Sequence, residues 1–305
     1  MKRVYGWKRD PPDERDLYAT PVPFYRGLYD RFPAEFDLES LCTPIEDQSS
    51  IGSCVSHGVV AAMEMLDNSC NDGWTDLSRL FGYWVIRDDK DEDAGAYIRD
   101  AIKRVAKYGI CDEALWPYDV SKYAVTPPVE AFQDAQKRAG IEYRRIHDHD
   151  RKNGIMSALY DLRVPVIFGF YIYSSFDDSG VATTGIVRVP GPKDEFMGGH
   201  CVDIVGWKWI AEDFRFGEKP SFKQLYFKCR NSWGPAWGQR GYFYLPEQYI
   251  TDKGLSDDYW IITRVPQPVP KPLKDNEGVY SEDVVWYVPV VGIWQWIKKL
   301  FVKGE

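Results

Sequence analysis

The sequence predicts an α+β protein built as two segregated lobes with a cleft between them. Two observations carry this expectation. Apolar residues recur at helical spacing through the first half. After about residue 140 they gather instead into short apolar runs bounded by turn residues. A chain of 305 residues is long enough for one large domain or for two lobes sharing a core.

Taken in order, residues 1–30 carry turn and aromatic signals (Pro11-Pro12, Tyr18, Pro21, Pro23, Phe24, Tyr25) without a sustained period, which predicts an ordered arm wrapped on the domain. Phe32–Gln48 is irregular. From Ser53 the positions Val55, Val59, Ala62, Met63 and Leu66 fall on one face of an amphipathic helix, with Ile51-Gly52-Ser53 as its lead-in loop and Ser53 as N-cap. A second helix is expected from about Leu77 to Ile86. The acidic run Asp88–Asp93 reads as a solvated turn rather than a metal site. Tyr97–Tyr108 predicts a third helix, stopped by Gly109. Strands are expected at Val164–Tyr171, Cys201–Trp207, Gln224–Asn231 and Gly241–Leu245. A proline-alternating spacer begins at Val265. It leads to Val284–Ile297, an apolar stretch with three tryptophans that is too short to span a bilayer as a helix. A membrane interface, a protein partner and the chain's own domain are all open as its docking surface.

Composition narrows the function classes. The chain is 44% hydrophobic and 28% charged, which excludes a disordered protein, and its formal charge of -8 argues against nucleic acid as the main partner. The N-terminus lacks a signal-peptide core, so a cytoplasmic location is expected, with association with a virion or other assembly left open. Six cysteines are too sparse for a disulfide scaffold and form no CxxC pair; no metal and no cofactor are expected.

One cysteine stands apart. Cys54 opens the first helix, where free N–H groups and the helix dipole favour a thiolate, so its pKa is expected to fall. A thiol nucleophile needs a base, and His200 is the candidate, at a strand edge after Gly198-Gly199, where another chain segment can approach closely. His57 lies one turn into the Cys54 helix and reads as packing; His147 and His149 alternate with aspartates in a polar loop. A catalytic imidazole needs an orienting partner, and Asn231 ends a neighbouring strand. Gln48, one loop before Cys54, can aim its side-chain amide beside the Cys54 N–H as an oxyanion donor.

These residues resemble the papain-like cysteine peptidases. Gln48-Ser-Ser-Ile-Gly-Ser-Cys54 is similar to the family's oxyanion glutamine and nucleophile. Gly198-Gly-His200 leading to Gly206-Trp207 looks like its base, and Asn231-Ser-Trp-Gly-Pro-Ala-Trp-Gly238 like its orienting asparagine. Tyr108-Gly-Ile, Trp116-Pro-Tyr-Asp119, Phe168-Gly and the opening Gly6-Trp7…Asp13-Glu-Arg-Asp16 look most like the bacterial and viral branch. The resemblance implies a helical left lobe, an antiparallel β-sheet or barrel right lobe, and an active-site cleft between them. It further implies a Cys54–His200–Asn231 triad, with Trp233 shielding the His–Asn bond, that cleaves peptide bonds in peptide or protein substrates through a thioester. It implies three parts: an arm (1–32), the peptidase domain (33–264) and the tail (265–305).

Departures accompany the match. Val55 replaces an aromatic residue, Ile51 a disulfide cysteine, Gly199 an Asp or Asn, and Cys201 a small residue; no long inhibitory prosegment is expected. Strand alternation places Cys229 on the Asn231 face and Cys201 on the other, so no bond between them is expected. Two alternatives remain: an assembly component that retains the fold with secondary or lost activity, and an amidase or transferase using the same triad.

Overall fold

A computed structural model describes residues 4–19, 32–71, 73–177, 179–211 and 223–266. The 20–31 part of the arm and the stretch Val284–Ile297 lie outside them.

Strand β1 (Trp7–Lys8) belongs to the arm, and β2 (Glu35–Asp37) follows it. Helix α1 (Cys54–Cys70) starts one residue past Ser53, yet the serine side chain makes no cap bond. Its Oγ is drawn instead to the Tyr118 hydroxyl at 2.7 Å and His57 Nδ1 at 3.3 Å. Nor is α1 amphipathic in situ, because every residue from Cys54 to Leu66 is buried. The predicted stripe hid Glu64, whose carboxylate is satisfied inside by Arg79 (2.7 and 3.0 Å), Thr43 Oγ1 (2.7 Å) and the Leu77 N–H (3.0 Å). A buried charge is tolerated only when paired and hydrogen-bonded in this way.

Helix α2 (Arg79–Ile86) is capped by Ser78, which accepts from the Phe81 N–H. Strand β3 (Ala96–Tyr97) leads into α3 (Ile98–Tyr108), which buries Ile98, Ala101, Ile102 and Val105, the expected 3.6-period stripe. Gly109 ends it at φ +71°, where a Cβ would sit 1.8 Å from the Ala135 carbonyl oxygen. Helix α4 (Val129–Ala135) completes the helical half.

The second half supplies six strands of a seven-stranded antiparallel sheet, the seventh being β2. Its strands are β4 (Glu142–Arg145), β5 (Val166–Tyr173), β6 (Phe196–Ala211), β7 (Lys223–Arg230), β8 (Tyr242–Pro246) and β9 (Ser256–Arg264), interrupted by the short helices α5 (Arg151–Ser157), α6 (Ser179–Thr184) and α7 (Glu247–Thr251). The order is β4-β9-β5-β6-β7-β8, with β2 pairing the far end of β6. The four expected strands are present, displaced by one or two residues or, for β6, lengthened. β6 is the hub. Its first half pairs β5, its second half pairs β2, and β7 runs along the other edge.

The β6–β7 register sets Asp203 opposite Arg230 and Ile204 opposite Cys229. By alternation His200, Ile204 and Cys229 share one face, while Cys201 and Asp203 face α1; Asn231 follows just past the end of β7. All six cysteines are free, so Cys201 and Cys229 are unlinked as expected. Cys70 is exposed and Cys42 half-buried, the other four buried.

Candidate active site

α1 and β6 meet where the chemistry was expected. A Cβ added to Gly58, one turn into α1, would lie 3.3 Å from Cys201 Sγ, which brings residues 200–201 of β6 against the start of the helix. At that start Cys54 is fully buried, and the backbone N–H groups of Cys201, Gly6 and Val55 favour its thiolate. They do not prevail. Burial pushes the Cys54 thiol up to about 11, the reverse of the lowered value expected from the helix start, because desolvation outweighs the surrounding dipoles.

His200, also fully buried, faces Asn231: Nε2 lies 2.9 Å from Oδ1. The identity of that oxygen is fixed independently, since the Ser232 backbone N–H donates to it at 2.9 Å. Nε2 therefore carries the proton in this bond and Nδ1 is the nitrogen left to exchange one. Trp233, 4% exposed, stacks on the imidazole with centroids 5.0 Å apart and planes 28° apart, and Phe170 closes another side at 5.7 Å. The expected shield is thus in contact with the ring it shields.

Gln48 is fully buried and held by the asparagine loop. Its N–H donates to the Ser232 carbonyl (2.8 Å) and its Oε1 accepts from Ser232 Oγ (2.7 Å). Nε2 donates to the Ile51 carbonyl (3.0 Å) and to the carbonyl of Val4 (3.2 Å). This second acceptor belongs to the N-terminal arm. The arm continues across the site: the Gly6 carbonyl accepts from Ala96 N at 2.8 Å, and β1 pairs β3 in parallel. Gly6 passes so close that a Cβ there would lie 1.9 Å from the Gly52 oxygen, and one on Gly199 would lie 2.5 Å from the Trp7 oxygen. The glycine beside His200 does admit another segment, and that segment is the chain's own arm.

The arm is anchored beyond the site. Trp7, buried at 5%, packs its indole against Gly169 and Tyr171 and donates Nε1 to Asp258 (3.1 Å), which also accepts from the Asp10 N–H (2.7 Å). Asp10 in turn accepts from Trp260 Nε1 (3.1 Å), and Asp16 holds Arg99 through two 2.7 Å bonds. The arm's Tyr18 stacks on His147 at 4.4 Å, which half-buries that histidine within the loop expected for it.

Three contributors escaped the sequence reading. Ser232 was visible inside the quoted asparagine motif. Tyr118, in the Trp-Pro-Tyr-Asp phrase, donates to the Gln48 carbonyl (2.9 Å). Asp93, assigned to a solvated turn, accepts from the Gly52 N–H (2.8 Å) and from the Tyr83 hydroxyl, and so fixes the loop before Cys54. No signal marked it, because its partner lies forty-one positions away. Among the described residues no cluster of His, Cys, Asp and Glu is suited to hold a metal ion.

Comparison with known proteins agrees with this geometry. The model of the papain family of cysteine proteases matches residues 32–262. An uncharacterised peptidase C1-like protein, L477, of Acanthamoeba polyphaga mimivirus is 33% identical over 292 residues, covering 88% of this chain and 89% of its own. Xylellain, a cysteine protease from Xylella fastidiosa, superposes with a TM-score of 0.69 at 30% identity, over 86% of this chain and 98% of its own. A procathepsin B from Trypanosoma congolense shares the fold at 18% identity, with a TM-score of 0.64 over 88% of this chain and 87% of its own.

Proposed function

The chain belongs to the papain family of cysteine proteases, and from that premise we propose that Cys54 is the nucleophile, His200 the base, Asn231 its orienting partner and Gln48 the oxyanion donor of a peptide-bond hydrolase. The supporting observation is the Val4 carbonyl bonded to Gln48 Nε2 beside Cys54. A peptide carbonyl of the chain itself lies against the donor that an oxyanion requires.

For a substrate to enter, residues 4–6 leave the cleft. Cys54 then escapes the desolvation that raises its pKa, and its proton passes to His200 Nδ1. The thiolate attacks the carbonyl carbon, and the developing oxyanion is held by Gln48 Nε2 and the Cys54 N–H. Imidazolium His200 protonates the leaving amine. Neutral His200 then takes a proton from water, which attacks the thioester and releases the acid and the thiol. Asn231 keeps Nε2 engaged throughout, so each proton moves at Nδ1.

The test is peptide-library cleavage by the full chain, by Cys54→Ala and by Trp7→Ala, with mass-spectrometric mapping of an epoxide that traps thiolates. Cleavage abolished by Cys54→Ala and an adduct on Cys54 are expected. No cleavage and no adduct even in Trp7→Ala, where the arm has lost its anchor, would overturn the assignment.

A further inference from the structure

Between α1 and β6, next to the His200–Asn231 pair, four buried polar atoms have no hydrogen-bond partner among the described residues. They are His57 Nε2, Asp203 Oδ1, Arg230 Nη1 and Asn231 Nδ2. Their residues are 3%, 2%, 5% and 4% exposed. The four residues line one small cavity, together with Arg79 and Cys201, offering about 10 Å3 to the centre of a water-sized sphere. Native interiors rarely leave even one such atom alone, since each costs about 1–3 kcal/mol. Four around one cavity call for a shared partner.

The hydrogen positions say which partner fits. Arg230 Nη1 is a donor. Asn231 Nδ2 is a donor too, because the Ser232 N–H requires the other amide atom to be the oxygen. Burial raises the Asp203 carboxyl to about 8, so at pH 7 it is the neutral acid, and its carbonyl oxygen is the acceptor it offers the cavity. His57 Nδ1 lies 3.1 Å from the Ser53 carbonyl oxygen, which only accepts, so Nδ1 carries the hydrogen and Nε2 presents its lone pair. Burial holds His57 neutral by lowering it to about 3, which keeps Nε2 an acceptor. Two donors and two acceptors around a space of this size complement one water, which itself donates two hydrogens and accepts two. An anion would meet the Asp203 carbonyl oxygen and the His57 lone pair. A cation would meet Arg230 and Arg79.

We propose that a single water occupies this cavity and that Asp203, Arg230 and His57 act through it as positioning residues for Asn231. The water takes the Asn231 Nδ2 hydrogen, which keeps Oδ1 turned toward His200 Nε2. The imidazole plane is thereby held from two layers behind Cys54. This inference rests on His200 and Asn231 being the base and its partner.

Asp203→Asn keeps an acceptor oxygen and the side-chain volume; Asp203→Ala removes both. Against wild type, Asp203→Ala is expected to lower kcat about tenfold to a hundredfold through misplacement of the imidazole, with KM little changed. The limb of the pH–kcat/KM profile that reports His200 shifts by about half a unit or more. Asp203→Asn restores both. The same shift is read by NMR titration of the His200 ring in Cys54→Ala and Cys54→Ala/Asp203→Ala, where no turnover is needed. A crystal structure of wild type is expected to show one ordered water within hydrogen-bond distance of all four atoms. A dry cavity, or an unchanged His200 titration in the Asp203→Ala background, overturns the proposal. The crystal does not depend on the variants folding. A protein that cleaves nothing but holds the water would refute the triad assignment and leave the water site standing.

Discussion

At the scale of single residues, the active site is defined by which atom carries a hydrogen. Ser232 supplies two of the constraints: its N–H fixes the Asn231 amide, and its hydroxyl fixes that of Gln48 with Nε2 outward. Gln48→Ala removes the proposed oxyanion donor and is expected to lower kcat about 10²–10³-fold with a smaller effect on KM, measured by steady-state hydrolysis. His57 makes a separate prediction for stability. Burial depresses its pKa from 6.5 to about 3. Between those values the unfolded chain binds a proton that the folded chain refuses, so stability falls as pH drops through that window. His57→Asn, which retains a donor toward Ser53, is expected to flatten that fall, as read from urea midpoints at pH 7, 5.5 and 4.

Among the elements, the arm passes over Gln48 and the glycine beside His200. The arm strand is short, yet it is fixed at both faces by backbone approaches that only glycine permits, and beyond them by the buried Trp7 indole. Trp7→Ala removes that anchor. A buried tryptophan truncated in this way costs about 3–5 kcal/mol, here charged largely against the docked state of the arm. The expected outcome is faster alkylation of Cys54 at pH 7 and a higher kcat/KM, with the melting temperature reporting any wider damage. Alkylation at the wild-type rate would show that the arm does not limit access. The elements also show what the sequence made legible. α3 was readable because its stripe and its glycine stop are local. β4 and β9 were not: Glu-Tyr-Arg-Arg of β4 has no strand alternation, and its partner lies more than a hundred residues away. The site residues were legible because each carries a chemical demand that only a few residue types meet. The arm was legible as an ordered segment wrapped on the domain, but its anchors were not, since Asp258 and Trp260 lie about 250 positions downstream.

Across the whole molecule, buried polar clamps accompany an apolar core that draws on both halves. Glu64 and Arg79 pair within the helical half, while Arg230 of the sheet half donates to the Thr43 and Pro44 carbonyls. A second cluster gathers Asp16 and Arg99 with Arg145, Asp257, Asp258 and Arg151, tying arm, α3, β4, α5 and β9 at one point. Removing one member of a buried pair leaves an uncompensated charge. Glu64→Ala is accordingly expected to cost about 3–5 kcal/mol in urea unfolding, and Glu64→Gln less.

The anchors of the arm set a schedule as well as a position. Trp7 and Asp10 take their bonds from residues 248 to 251 positions downstream, on the last strand of the sheet. Ribosomes add about 5–20 residues per second, so the arm emerges with its partners still roughly 12–50 s from existing. Throughout that interval the arm has at most its partners on β3 and at Arg99, and lacks the two on β9. Synthesis of β9 therefore completes the sheet and supplies the last anchors of the arm in one step.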